Sequence, residues 1–242
     1  MNAYFLAVVF AATWIRTTFG FGEALVAVPL LALVMPVEVA APVAVLLSIT
    51  IAAVVMVEDR REIHWRSAAW LLAPTLLGVP AGVWLLAAGH EALVKAGLGV
   101  VIGGFAAYFL WVRHPPRLAN DSRRWLLGCG LAAGVLGGAY GMNGPPLVIY
   151  GSLRRWSPRQ FRATLQAYFL PASMAAMAGY AWSGLWVPAV THDYLLGLAA
   201  LLPALLLGRI AHRRLQGELF LRLVHAGLLL VAVVLVAQAL RG

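Results

Sequence analysis

The 242-residue chain is 62% hydrophobic and only 11% charged, whereas a soluble domain carries roughly a quarter charged residues. This composition excludes an ordinary soluble fold and describes an integral membrane protein. The net charge of +9 would suggest nucleic acid in a soluble protein, but here the basic residues sit between apolar segments, as in loops facing anionic lipid, so no nucleic-acid partner is expected. Apolar runs of about 20 residues recur with no gap large enough for a soluble head, which predicts one transmembrane domain over residues 1–242. Neither HExxH, GxSxG nor a Cys/His cluster occurs, the six His include no i,i+4 pair, and Cys129 has no disulfide partner. No enzymatic activity, cofactor or metal is expected. The opening MNAYFLAVVFAATW lacks a basic region and a small-residue cleavage pattern, so the first segment is expected to stay in the mature protein.

In chain order, the first apolar stretch, residues 3–35, is interrupted by FGFGE at 19–23. Its pieces, about 3–15 and 24–35, would each rise only about 20 Å as helix, short of a hydrocarbon core of roughly 30 Å, which predicts a re-entrant hairpin. Ordinary spans follow at 37–57, 67–88 and 92–112. A second broken stretch, 125–150, carries GAYGMNGPP at 138–146, and further spans follow at 163–182, 193–211 and 219–240. Trp14, Trp65, Trp111, Trp125, Trp182 and Trp186 fall near segment ends, as an interfacial belt requires.

The two broken stretches correspond. A shift of 121 residues lays Gly20-Phe21-Gly22 on Gly141-Met142-Asn143, and a shift of 127 lays EALVK (91–95) on ELFLR (218–222). The chain therefore reads as a doubled unit, with repeats at 1–118 and 119–242. Its Arg residues form four clusters, around Arg60, Arg117, Arg155 and Arg213. If every segment crossed once, two clusters would face each side; if the broken stretches return to the side they entered, all four face the cytoplasm, as the positive-inside bias demands. Three crossings per half then make the second half upside down. The expected fold is an all-α membrane protein of two inverted-topology repeats, each a broken re-entrant helical hairpin plus three transmembrane helices, in the inner membrane with both termini periplasmic.

The broken tips suggest a function. Asn143 and Gly144 suit an N-cap, and Pro145 suits the first helical position because its missing N–H would be unpaired there. A half-helix starting at each tip points its positive end at the membrane midplane, and two such ends facing each other make an anion site. The candidate substrate site is thus Gly20, Phe21, Gly22 and Glu23 on one tip and Gly141, Met142, Asn143, Gly144 and Pro145 on the other. The alternative is a Gly/Pro kink that only lets helices pack closely.

The motifs TFGFGEALVAVPLLAL and LGGAYGMNGPPLVIYGSLRRWSPRQFRATLQAYFL resemble the sulfite exporter TauE/SafE family. That resemblance implies a multi-pass inner-membrane transporter of a small anion, typically sulfite, a sulfonate or a related organosulfur acid. The chain departs from it at Glu23 and Asn143, where many members carry Gly. Arg16, one turn before the first tip, is either an anion clamp or an Arg that pairs with Glu23 or snorkels to water. Glu23 either caps its helix or carries a coupling proton. Arg162, after the SPRQ capping pattern at 157–160, is a topology determinant or an entry-side attractor. His225 is a core histidine or a proton relay. The expected partners are the bilayer, a small anion and possible coupling protons; no feature specifies an oligomeric state. An anion channel and a carrier for a non-sulfur carboxylate are the alternative functions.

Overall fold

A computed structural model describes residues 2–59, 65–111, 123–154, 158–212 and 218–241. Ten helices account for almost all of them: α1 (Asn2–Phe19), α2 (Glu23–Leu31), α3 (Val37–Asp59), α4 (Trp65–Ala88), α5 (Glu91–Trp111), α6 (Arg123–Tyr140), α7 (Gly144–Leu153), α8 (Pro158–Trp182), α9 (Pro188–His212) and α10 (Glu218–Arg241). No strand occurs among the described residues. Arg60, Arg61, Arg113, Arg117, Arg155, Arg213 and Arg214 lie outside the described residues, as do the side chains of Arg162 and His225.

Among the described residues, four helices are long and apolar enough to cross a membrane, within Val37–Met56, Ala68–Ala88, Glu91–Trp111 and Pro188–Ala211. α8, expected as an equally ordinary span, is long but less apolar: it buries Thr164, Gln166 and Ser173. In α10 the shorter apolar helix Leu228–Leu240 is described.

The first broken stretch differs from expectation. α1 does not stop near residue 15 but runs for 18 residues, a rise of about 27 Å. The helix survives the polar run because its hydroxyls bond back to the preceding turn, Thr17 Oγ1 to Thr13 O at 2.8 Å and Thr18 Oγ1 to Trp14 O at 2.7 Å. α6 is likewise 18 residues long, so α2 and α7, with 9 and 10 residues, are the only half-membrane pieces of these hairpins. Trp14 is half buried against the core, on the part of α1 that packs on α9. Trp65, Trp111, Trp125, Trp182 and Trp186 are exposed near helix ends.

Helix pairing has a regularity. α4 packs on α6 and α9 on α1; α4 on α8 and α9 on α3; α1 on α2 and α6 on α7. Further large contacts join α5 to α10, α3 to α8 and α2 to α3. Exchanging the first five helices for the second five preserves these pairings except α2 on α3, which has no comparable counterpart of α7 on α8 among the described residues. The tightest seam is α4 against α6, where Gly78 and Gly82 meet Gly134 and Gly138, a spacing of four that lets two backbones touch. A Cβ on Gly134 would run into Thr75 O and stand 2.9 Å from Gly78 Cα, whereas one on Gly128, on the same helix, would meet open space.

Gly134→Ala is therefore expected to lower unfolding stability in detergent by about 1–3 kcal/mol through overpacking. Gly128→Ala should be neutral or stabilising by up to about 1 kcal/mol. Equal effects of the two substitutions would contradict the seam.

Candidate functional site

The two tips meet. α1 ends with Gly20 N–H bonded to Arg16 O at 2.6 Å, and the chain turns through Gly20 (φ 88°) and Gly22 (φ 100°), left-handed conformations open to glycine, into α2. α6 ends in Gly141 (φ 67°), whose N–H bonds Gly137 O at 2.9 Å. A Cβ there would come within 2.9 Å of Val45 Cγ2 on α3, so the backbone of this tip lies hard against a neighbouring span.

α2 starts at Glu23, and its N-cap, Gly22, has no side chain to close the helix end. The N–H groups of the first turn of an α-helix have no partner within the helix, and this end faces the second tip. α7 starts at Gly144, not at Pro145 as expected. Asn143 takes the cap position, and Pro145 and Pro146 occupy the next two places, where they remove two of the donors that a helix end would otherwise offer. The second tip thus presents fewer backbone donors than the first. It presents instead the amide of Asn143, 3% exposed, whose Nδ2 makes no hydrogen bond of normal geometry although Tyr168 stands beside it. That amide lies flat on Gly137, where a Cβ would come within 2.7 Å of Nδ2.

Between the tips is a cavity of about 20 Å³, room for about one water. Phe21, Gly22 and Glu23 line one side, and Gly141, Met142, Asn143, Gly144 and Pro145 the other. Arg16, Ser48 and Phe169 complete the wall. Nine of the ten sequence-predicted residues therefore converge on one space. Gly20 does not line it and instead offers its carbonyl to Gln166 Nε2 at 2.9 Å.

Arg16 dominates the site. Its Nη1 donates to Glu23 Oε2 and, at 2.5 Å, to Ser48 Oγ; Nη2 donates to Gln166 Oε1 at 2.9 Å; and the guanidinium carbon stands 4.9 Å from the centre of the Phe169 ring. Arg16 and Glu23 are 3% and 2% exposed and are the only buried charged residues among the described ones. Removing one member of such a pair costs about 3–5 kcal/mol, because the other charge is left uncompensated. Glu23 keeps one oxygen, Oε1, without a hydrogen bond.

Ser48, Gln166 and Phe169 were not singled out in the sequence. Gln166 and Ser173 had a legible signal, two polar residues seven apart inside a span and hence on one helix face. Ser48 and Phe169 are related by the same 121-residue shift as the tips, and both reach Arg16.

A buried Arg thus stands between two opposed tips. The family model described as sulfite exporter TauE/SafE matches residues 4–235. A probable sulfite/organosulfonate exporter TauE from Cupriavidus necator is 26% identical over 206 residues, covering 82% of this chain and 79% of that relative. No solved structure matches. With nearly its whole length matched, the chain belongs to the sulfite exporter TauE/SafE family.

Proposed function

We propose that this protein is an inner-membrane carrier that exports a small sulfur oxyanion, hydrogensulfite or an organosulfonate, through the cavity between the two tips. The substrate class and the direction rest on the family and on the name of the Cupriavidus relative. The observation that carries the reading is Arg16, held at the junction of both tips by partners from α2, α3 and α8. Most large helix contacts are kept when the two halves are exchanged, which supports two repeats; the placing of the Arg clusters in the sequence supports an inverted pair rocking about this point, with those clusters facing the cytoplasm and both termini the periplasm. A cavity with room for one water favours a carrier that closes around its cargo over an open channel.

Charge balance gives the mechanism. Arg16 and Glu23 cancel, so a monoanion entering alone would leave one uncompensated negative charge in a medium where that is costly. An anion entering with a proton restores neutrality: the proton neutralises Glu23, and the guanidinium it releases pairs with the anion. The Asn143 amide and the free N–H groups at the start of α2 supply the remaining donors. Glu23 is thus proposed as the proton carrier and Arg16 as the anion clamp. The two readings of this pair become two states of one cycle.

Proteoliposomes loaded with radiolabelled sulfite test this. Wild-type flux should saturate and respond to a pH difference across the membrane. Glu23→Gln should bind sulfite and lose the pH dependence, and sulfite should raise its melting temperature more than that of wild type, because the anion replaces the missing counter-charge. Retention of wild-type pH dependence would show that Glu23 carries no proton. Asn143→Leu should weaken sulfite binding about tenfold or more, the worth of one hydrogen bond to a charge. Unchanged flux of sulfite and sulfonates in that variant would count against a tip site.

A further inference from the structure

A second cavity, about 640 Å³, opens between α5 on one side and α6 and α7 on the other. Its body is apolar, with Val100, Phe105 and Ala132 among its walls, and Arg124 is its one charged lining residue among those described. Arg124, Trp125 and Tyr108 stand together where α5 ends and α6 begins, the end of both helices that meets the same membrane surface. From Arg124 the groove follows α6 to Leu136 and finishes on Pro145 and Pro146. Twelve residues of helix span about 18 Å, close to half of a hydrocarbon core of roughly 30 Å. The groove is therefore about one leaflet deep.

Two features mark the groove as built into the fold. α2 packs against α10, whereas at the corresponding place α5 stands off from α7 and the groove fills the gap. Gly104 and Gly128 face it with only open space where a Cβ would be. Glycine inside a helix costs about 1 kcal/mol relative to Ala, and at these positions close helix packing does not explain it.

We propose that the groove binds one anionic phospholipid, with its phosphate on Arg124, its glycerol region beside Trp125 and Tyr108, and one acyl chain running along the groove to the back of the α7 tip. An apolar groove of this volume inside a bilayer does not hold water. A cation at the interface above an apolar slot one leaflet deep matches the charge and length of such a lipid. The chain end then rests on Pro145, whose other face lines the anion cavity.

The experiment is native mass spectrometry of the delipidated full-length protein titrated with dioleoylphosphatidylglycerol or dioleoylphosphatidylcholine. Wild type should retain one phosphatidylglycerol per chain in preference to phosphatidylcholine. Arg124→Gln should weaken phosphatidylglycerol retention about fivefold and leave phosphatidylcholine unchanged. The double variant Gly104→Leu, Gly128→Leu fills the groove without meeting backbone, and should retain neither lipid while keeping its helicity and elution volume. Undiminished lipid on the double variant, or an unchanged headgroup preference in Arg124→Gln, would overturn the proposal. A shift of the double variant from dimer to monomer would also overturn it, by making a second copy of this chain the occupant.

Discussion

A buried guanidinium needs its charge balanced and most of its N–H groups bonded, and the centre of this fold is arranged around that requirement for Arg16, whose two Nη atoms are bonded while Nε is not. Meeting it takes a carboxylate from α2, a hydroxyl from α3 and an amide and an aromatic face from α8. Gln166 then uses its other end to hold the Gly20 carbonyl, so the residue that bonds the cation also fixes the first tip. The polar residues that make α8 the least ordinary of the expected spans are the ones that bring it to Arg16 and Ser48.

The two halves of the chain carry corresponding positions at the tips and differ in chemistry there. Under the 121-residue shift, Gly20 corresponds to Gly141 and Val45 to Gln166. Gln166 on α8 bonds Gly20, and Val45 on α3 packs on Gly141; each repeat thus holds the glycine of the other tip, once by a hydrogen bond and once by contact. Arg16 corresponds to Gly137 and Glu23 to Gly144. The charged pair belongs to the first half only. In the second half the missing side chain at Gly137 makes room for Asn143 to lie flat on the backbone, placing an uncharged donor opposite the charged one.

Much of this was legible in the residues. Hydrophobic run lengths located the helices, and clusters of Gly, joined by Pro in the second, located the tips, because a lone Gly or Pro is tolerated inside an intact helix, as at Pro74 and Pro171, whereas such a cluster breaks it. The pairing of Arg16 with Glu23 was readable from their seven-residue separation across one tip. Contacts over long sequence distance were not: Gln166 lies 150 residues from Arg16, and no local pattern states which faces of α3 and α8 turn toward α1. Arg16, Thr17 and Thr18 read as a helix end, whereas in the structure their polar groups are satisfied within the fold, the two hydroxyls by the preceding turn and the guanidinium by a buried counter-charge, so α1 continues through them. The first residue of α7 was placed one position late, since Pro is good at the start of a helix but equally allowed at the next places of the first turn.

The central claim is that the anion takes the place of Glu23 on Arg16, between the tips. Selenite, a heavier analogue of sulfite, makes this directly visible by anomalous diffraction from crystals grown at low pH. Arg16 as the clamp requires a selenium peak whose oxygens lie about 3 Å from the Arg16 guanidinium and from the Asn143 amide, with Glu23 turned away. A peak elsewhere in the protein, or one between the tips with Arg16 still bonded to Glu23, would contradict it.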